Sequence, residues 1–204
     1  MQTLFGPTLQ HKYKLTALLL SFLLLLTCCS REELEVVNLQ YKVETQVYPV
    51  EKSKLQLLSL SFAVNGDPSQ KQVHIVAGNQ VSSWILTVKG DEQNTYTVGP
   101  LTMGSDVMLP EGEWKLFVLN GDGQTLEETF HVVYPMPRDI VVYDAATSTL
   151  HLTEGSALLS LYDAEALLLE TRQMERGSSI TLEEGIVKAV VKVLDQEVTY
   201  IINR

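Results

Sequence analysis

The two cysteines of this chain, Cys28 and Cys29, are adjacent and end an apolar run that begins at Leu15. This run is shorter than the ~20 apolar residues that a helix needs to cross a bilayer. Its length fits the apolar region of a secretory signal, and His11, Lys12 and Lys14 supply the positively charged segment that precedes such a region. The two thiols therefore stand where a secretory signal would end, which makes them the first candidates for chemistry.

The segment Leu26-Thr27-Cys28-Cys29 resembles a bacterial lipobox, in which a leucine three positions before a cysteine directs lipid to that cysteine. The resemblance implies a signal peptide over residues 1–28, acylation of Cys29, and a short tether over residues 29–34. Acylation of Cys28 is the alternative, because Cys28 stands where Gly, Ala or Ser is usual. An unlipidated cleaved signal should show an A-x-A-like site, and none is present. An uncleaved anchor helix is the remaining alternative.

The residues after Cys29 bear on where a lipidated protein would go. Ser30 is not acidic, as in lipoproteins sent to the outer membrane, and Arg31-Glu32-Glu33 resembles the surface-export tag of Bacteroidetes lipoproteins. The resemblance implies an outer-membrane protein, attached to the membrane through its lipid, on the periplasmic face or at the cell surface. A short charged stretch is also what a solvated tether needs.

The residue types that catalyse reactions or bind metals are scattered. His74, His131 and His151 fall in three separate predicted strands, and no two histidines have metal-ligand spacing. The sequence has no G-x-S-x-G segment and no phosphate-binding loop. It therefore predicts no catalytic residue, no metal, no cofactor and no enzymatic activity.

The segment Asn120-Gly121-Asp122-Gly123 begins like a calcium-binding loop. Such a loop needs Gly at its sixth position and Glu at its twelfth, where Thr125 and His131 stand. Asn, Gly and Asp tolerate the positive φ angles of hairpin turns, so a turn between two strands is the better interpretation.

Trp84 and Trp114 are the two tryptophans, and either could stack on a sugar ring. Trp84 shares a predicted strand face with Leu86 and Val88, and Trp114 lies in a similar alternating run. Large aromatic side chains dominate the cores of β-sandwiches, so we predict that both tryptophans are core residues.

The charge of the chain excludes one class of partner. Without the first 28 residues the chain has thirteen basic and 25 acidic residues, a net charge of −12. Binding to phosphate backbones needs a basic patch, so we predict no nucleic-acid partner.

Residues 35–135 alternate short runs rich in Val, Leu, Ile, Thr and Tyr with turn residues, the spacing typical of a β-sandwich. The predicted strands cover residues 35–48, 55–64, 72–77, 82–89, 95–98, 106–109, 113–119 and 125–134. The segment Pro135-Met136-Pro137 then predicts a stiff linker, because proline cannot donate to a sheet and restricts the residue before it.

Residues 136–204 repeat the pattern at smaller size. The predicted strands cover residues 140–143, 149–153, 157–162, 166–171, 179–182, 186–194 and 197–203. Residues 163–172 could also form a helix, but the short run Leu167–Leu169 between turns favours a strand. In residues 186–194, Val187, Ala189, Val191 and Val193 share one face, opposite Lys188 and Lys192, as expected when one face contacts water.

Four segments of this second half resemble the C-terminal sorting domain of the Bacteroidetes type IX secretion system, which is a small immunoglobulin-like sandwich. They are Leu161-Tyr162-Asp163, Leu167-Leu168-Leu169-Glu170, Ile180-Thr181-Leu182 and Gly185-Ile186-Val187. Val187 replaces the usual Tyr, and Glu165 and Ala166 stand where Gly is usual. The resemblance implies an immunoglobulin-like fold for this half.

The sequence thus predicts an all-β chain with two tandem immunoglobulin-like β-sandwich domains after a cleaved lipoprotein signal peptide. The predicted role is non-catalytic binding, adhesion or scaffolding in the cell envelope, with an envelope protein or a glycan as partner. The alternative is a glycan-binding or hydrolase accessory component of an outer-membrane nutrient-uptake system. Fold alone does not decide between them.

Overall fold

The computed structural model describes residues 34–66, 72–121, 123–134 and 138–204, and every regular element in these ranges is a β-strand. In the described part of the chain, no helix is long and apolar enough to cross a membrane. Both cysteines and the predicted linker at residues 135–137 lie outside the described residues. The lipidation of Cys29 and the domain boundary therefore stay predictions.

The strands divide into two groups of seven. The first group is β1 (Glu35–Tyr48), β2 (Ser53–Asn65), β3 (Gln72–Gly78), β4 (Ser83–Lys89), β5 (Thr95–Leu101), β6 (Gly112–Leu119) and β7 (Thr125–Val132). The second group is β8 (Val141–Asp144), β9 (Thr149–Leu152), β10 (Ser156–Tyr162), β11 (Leu168–Glu175), β12 (Ser179–Thr181), β13 (Lys188–Val193) and β14 (Val198–Asn203). The predicted all-β fold class is confirmed.

Each group forms one β-sandwich, and the two sandwiches share a sheet. A seven-stranded sheet has the order β11-β10-β13-β14-β1-β2-β5. In the first sandwich, the β1-β2-β5 end of this sheet packs against the four-stranded sheet β4-β3-β6-β7, and the Tyr41 and Phe130 rings meet at 5.7 Å. In the second, the β11-β10-β13-β14 end packs against the three-stranded sheet β12-β9-β8 through buried residues such as Leu150 and Leu159.

Strand β1 is the element that joins the two sandwiches. It pairs antiparallel with β2 from Glu35 to Tyr48, and Thr45–Val47 also pair in parallel with Val198–Tyr200 of β14. Alternate residues of a strand face the same side. One face of β1 therefore contributes Tyr41 to the aromatic cluster of the first sandwich and Val47 to the core of the second.

The segment at residues 106–109 is not a strand, so that prediction is wrong. Asp106 has a φ of 60°, which breaks an extended conformation. Two side chains form the hydrogen bonds that a neighbouring strand would otherwise form with the Leu109 backbone. The Leu109 N–H donates to Gln56 Oε1 at 2.7 Å, and the Leu109 carbonyl accepts from the Tyr134 hydroxyl at 2.5 Å. Gln56 is 1% exposed, and its amide group also lies 3.5 Å from the Thr45 hydroxyl.

The strand interpretation of residues 163–172 is confirmed. Asp163 begins the turn between β10 and β11, and its Oδ1 accepts from the N–H groups of Glu165 and Leu167 at 3.0 and 2.9 Å. Strand β11 begins at Leu168 and includes residues 168–172. The alternation in β13 is confirmed as well, because Ala189, Val191 and Val193 are buried.

Candidate functional site

The three histidines of the predicted strands stay apart. His74 lies on β3 and shares a hydrogen bond of 2.8 Å with the Thr87 hydroxyl, and His151 lies on β9 and shares one of 2.6 Å with the Ser179 hydroxyl. His131 lies on β7. Each histidine is exposed. Among the described residues, no three side chains of the metal-binding types come together.

The two tryptophans have different environments. Trp114 is fully buried, and its indole N–H donates to the Pro110 carbonyl at 2.9 Å, so its predicted core position is confirmed. Trp84 stacks on Trp114 with ring centroids 5.5 Å apart and is only partly buried. Trp84 therefore closes the edge of the core and does not project as a free platform.

The hairpin turn predicted between β6 and β7 is present, and the described residues Asn120, Gly121 and Gly123 belong to it. The Asn120 N–H donates to the Gln124 carbonyl at 3.1 Å, and the Gly123 N–H donates to the Asn120 carbonyl at 3.1 Å. The Asn120 side chain accepts from the Gln124 N–H at 2.9 Å. The backbone and side-chain oxygen atoms of Asn120 thus accept hydrogen bonds within the turn.

Two concave regions are candidates for binding. The first, which we call the outer depression, lies on the face of the four-stranded sheet that points away from the core and has a volume of 520 Å³. An apolar row crosses this face, because Val76 of β3 pairs with Ile85 of β4 and with Phe117 of β6. Ile85 and the nearby Val81 are each 77% exposed, an unusual exposure for large aliphatic side chains.

The rim of the outer depression is acidic. Glu111 and Glu113 line it together with Lys115. The Lys115 ammonium lies 2.5 Å from the Glu127 carboxylate, and this hydrogen bond raises the pKa of Lys115. Because Glu127 neutralises the one cation of the rim, Glu111 and Glu113 set its charge.

The second region, which we call the hairpin cleft, lies between the turn that joins β1 to β2 and the strands β8 and β14. It has a volume of 390 Å³, within the range of small-molecule pockets. Its polar lining includes Tyr48, Lys52, Ser53, Lys54, Asp139 and Tyr143. Tyr200 closes its base and is 2% exposed.

Tyr200 fixes one wall of the hairpin cleft. Its hydroxyl donates to the Arg138 carbonyl and accepts from the Ile140 N–H at 3.2 Å. Burial raises the pKa of Tyr200 above its ordinary value. The hydroxyl therefore stays protonated at neutral pH and holds the chain that leads into β8.

Neither region is evident from the sequence. The hairpin cleft combines residues near positions 50, 140 and 200, which no local pattern connects. The one available signal was the pair Lys52 and Lys54 beside Tyr48 in a strongly acidic chain. The apolar row was hidden because Val76, Ile85 and Phe117 each read as an ordinary strand residue.

No family model matches this chain, and no curated protein matches it. Two similar solved structures are the BSP domain of a biofilm-associated protein, at 16% identity, and a tetra-tandem repeat in the extending region of a large adhesion protein, at 13%. Each match covers 80% of this chain, but only 28% and 49% of those chains. The TM-scores are 0.30 and 0.29, too low to establish a common fold. The all-β fold rests on this chain's own fourteen described strands.

Proposed function

We propose that this chain is a lipid-anchored protein of the bacterial cell envelope with a non-catalytic binding, adhesion or scaffold role. The anchor is a lipid on Cys29, and the protein belongs to the outer membrane, facing the periplasm or the cell surface. The lipobox segment at residues 26–29 supports the anchor. The net charge of −10 of the full chain supports a partner other than nucleic acid.

The outer depression is the observation that carries the binding role. Val81, which lines the depression from the connection between β3 and β4, and Ile85, on β4 beside Val76, expose aliphatic side chains, whereas side chains of this type normally lie in a core. Strand β4 is an edge of the four-stranded sheet, so its outer backbone groups have no ladder partner within that sheet. An extended segment of another protein can add to such an edge.

The acidic rim favours a partner that carries basic residues. Glu111 and Glu113 favour a segment in which basic residues alternate with apolar ones, because opposite charges across an interface favour the correct partner. The proposed partner is therefore an envelope protein that offers an extended basic and apolar segment.

Strand-length synthetic peptides test this role directly. We expect the purified protein to retain peptides that alternate Val with Lys more strongly than peptides that alternate Val with Ser, and to reject those that alternate Val with Glu. The double variant Val81→Ser/Ile85→Ser should lose this retention, whereas Val142→Ser, at an exposed position on β8, should keep it. Equal retention of all three peptide series would overturn the proposed role of the outer depression.

Palmitate labelling tests the anchor. In a bacterium that processes lipoproteins, the full chain should incorporate labelled palmitate and partition into detergent. Cys29→Ser should abolish the label, and Cys28→Ser should retain it. A label that persists in Cys29→Ser would assign the lipid to Cys28, and a label that persists in the double variant would refute lipidation at this segment.

The alternative function is a glycan-binding or hydrolase accessory component of an outer-membrane nutrient-uptake system. The hairpin cleft favours the glycan-binding form of this alternative, because it combines lysines with tyrosine rings.

A further inference from the structure

We propose that the hairpin cleft binds a sugar unit that carries a carboxylate or a sulfate group. This inference goes beyond peptide binding at the outer depression and gives the glycan-binding alternative a ligand. The cleft is concave and lies where the two sandwiches meet along β1, and small-molecule sites occur preferentially at such junctions.

The charge of the hairpin cleft favours an anion. Lys52 and Lys54 both line it, and no ion pair among the described residues involves either ammonium. The Lys54 backbone is fixed, because its N–H donates to Asp106 Oδ1 at 2.8 Å and its carbonyl accepts from the Asp106 N–H at 2.7 Å. Two lysines in one cleft are distinctive in a chain with a net charge of −10.

The other groups of the cleft suit a sugar ring. Tyr48 and Tyr143 are both half-buried, so each presents part of its ring to the cleft. Aromatic rings pack against the apolar faces of ligands, while their hydroxyl groups form hydrogen bonds. Within the described residues, the hydroxyl groups of Tyr143 and Ser53 form no hydrogen bond with protein, so both can bind sugar hydroxyls.

Asp139 limits the orientation of the ligand. It lines the same cleft as the two lysines and would repel an anionic group placed next to it. The acidic group of the sugar therefore points toward the turn between β1 and β2, and the sugar hydroxyls point toward β8. A carboxylate and a sulfate present the same negative oxygen atoms to an ammonium group, so both fit this arrangement.

Calorimetric titration of the purified protein, residues 30 to 204, tests the inference with three probes: trigalacturonate, a sulfated disaccharide and neutral maltotriose. We expect binding of one or both acidic probes, weaker binding in high salt, and no binding of maltotriose. The better acidic probe identifies the carboxylate or the sulfate as the natural group. Binding of maltotriose equal to that of the acidic probes would overturn the inference, and so would failure of both acidic probes.

Matched variants separate the cleft from bulk charge. Lys52→Gln/Lys54→Gln should weaken acidic-probe binding by about tenfold, since exposed charge pairs are individually weak. Lys89→Gln/Lys192→Gln removes the same charge elsewhere and should leave binding unchanged. Tyr143→Leu keeps an apolar side chain at this position and should weaken binding severalfold. Equal losses of acidic-probe binding in the two double lysine variants would refute the site. Palmitate labelling and peptide retention should stay as in the wild type in either case.

Discussion

The cores of the two sandwiches consist of different types of residue. The first fills its interior with rings, and Phe62 stacks on Tyr96 at 5.2 Å while Trp114 lies between Trp84 and Phe130. The second is mostly aliphatic, and among the described residues of its core Tyr200 is the one fully buried ring. Its sheet β12-β9-β8 consists of strands of only three or four residues.

This difference in core composition gives the shared seven-stranded sheet a role in stability. A small sandwich with short strands buries little apolar surface and is correspondingly marginal. Pairing with β1 protects β14 on its open side and adds Val47 to the second core. The first sandwich, with its large rings, thus supports the second through a shared strand, and we expect residues 35–204 to unfold in one cooperative transition.

The largest expected effect comes from the aromatic core. Trp114→Ala should lower the free energy of unfolding by about 3–5 kcal/mol, because it deletes a fully buried ring and leaves a cavity. Trp84→Ala removes a partly buried ring and should cost about 2 kcal/mol. Denaturant unfolding, followed by circular dichroism, measures both.

The same experiment examines the coupling between the sandwiches. In Trp114→Ala, the whole β signal should still disappear in one transition at a lower denaturant concentration. Two separated transitions, with the second at the wild-type position, would show that the sandwiches unfold independently. Val81→Ala, at a side chain that is 77% exposed, is the control and should change stability by less than about 0.5 kcal/mol.

A smaller effect is expected where the buried polar groups of the first sandwich lie. Gln56→Met keeps a side chain of similar length but removes the acceptor for the Leu109 N–H. A buried donor without a partner costs about 1–3 kcal/mol, so the free energy of unfolding should fall by that amount and thermal unfolding should begin at a lower temperature. Gln40→Met, at an exposed position of β1, should be neutral. An unchanged melting temperature in Gln56→Met would mean that the Leu109 N–H finds another acceptor.

The second sandwich should respond most clearly at alkaline pH. Burial raises the pKa of Tyr200, so the folded state retains the proton longer than the unfolded state. Its contribution to stability is therefore complete below about pH 10 and is lost as the pH rises through the folded-state pKa. Tyr200→Phe should cost about 1 kcal/mol at neutral pH and make the alkaline loss of stability shallower.

Urea unfolding at several pH values from neutral to strongly alkaline measures this slope. Tyr162→Phe is the control for loss of a hydroxyl, since no hydrogen bond among the described residues involves the Tyr162 hydroxyl group. A slope in Tyr200→Phe as steep as in the wild type would assign the alkaline loss to other groups. Tyr96 and Tyr134 are the first of these, because burial raises the pKa of each.

The smallest effect is expected on the outer surface. Ile85→Thr replaces a side chain that is 77% exposed with one that is also β-branched. The free energy of unfolding should change by less than about 0.5 kcal/mol, and peptide retention should still fall. A large loss of stability would instead place Ile85 in a structural role.

Strand patterns in the sequence predicted most of this fold, because alternation within a strand is a local property. Ala189, Val191 and Val193 show the strength of that signal. The parallel pairing of β1 with β14 joins residues about 150 positions apart, and no local pattern contains it. The segment at residues 106–109 was misjudged because its apolar residues resemble a strand, while Gln56 and Tyr134 bind its backbone.

The candidate sites were less accessible to prediction for the same reason. The hairpin cleft depends on how the turn after β1 meets β8, and the outer depression depends on which residue of β4 lies beside Val76. Register and long-range contact decide both. The acylation of Cys29 is predicted from one contiguous segment, and it stays a prediction because Cys29 lies outside the described residues.

The position of β1 has a mechanical consequence. If the tether before Glu35 is held by a lipid, a pull on the rest of the protein runs lengthwise along β1, which lies between β2 and β14 in the sheet. Antiparallel hydrogen bonds lie perpendicular to their strands, so a lengthwise force loads the β1–β2 bonds together and not one after another. With such an anchor, the strand that receives the force first would also be the one best placed to resist shear.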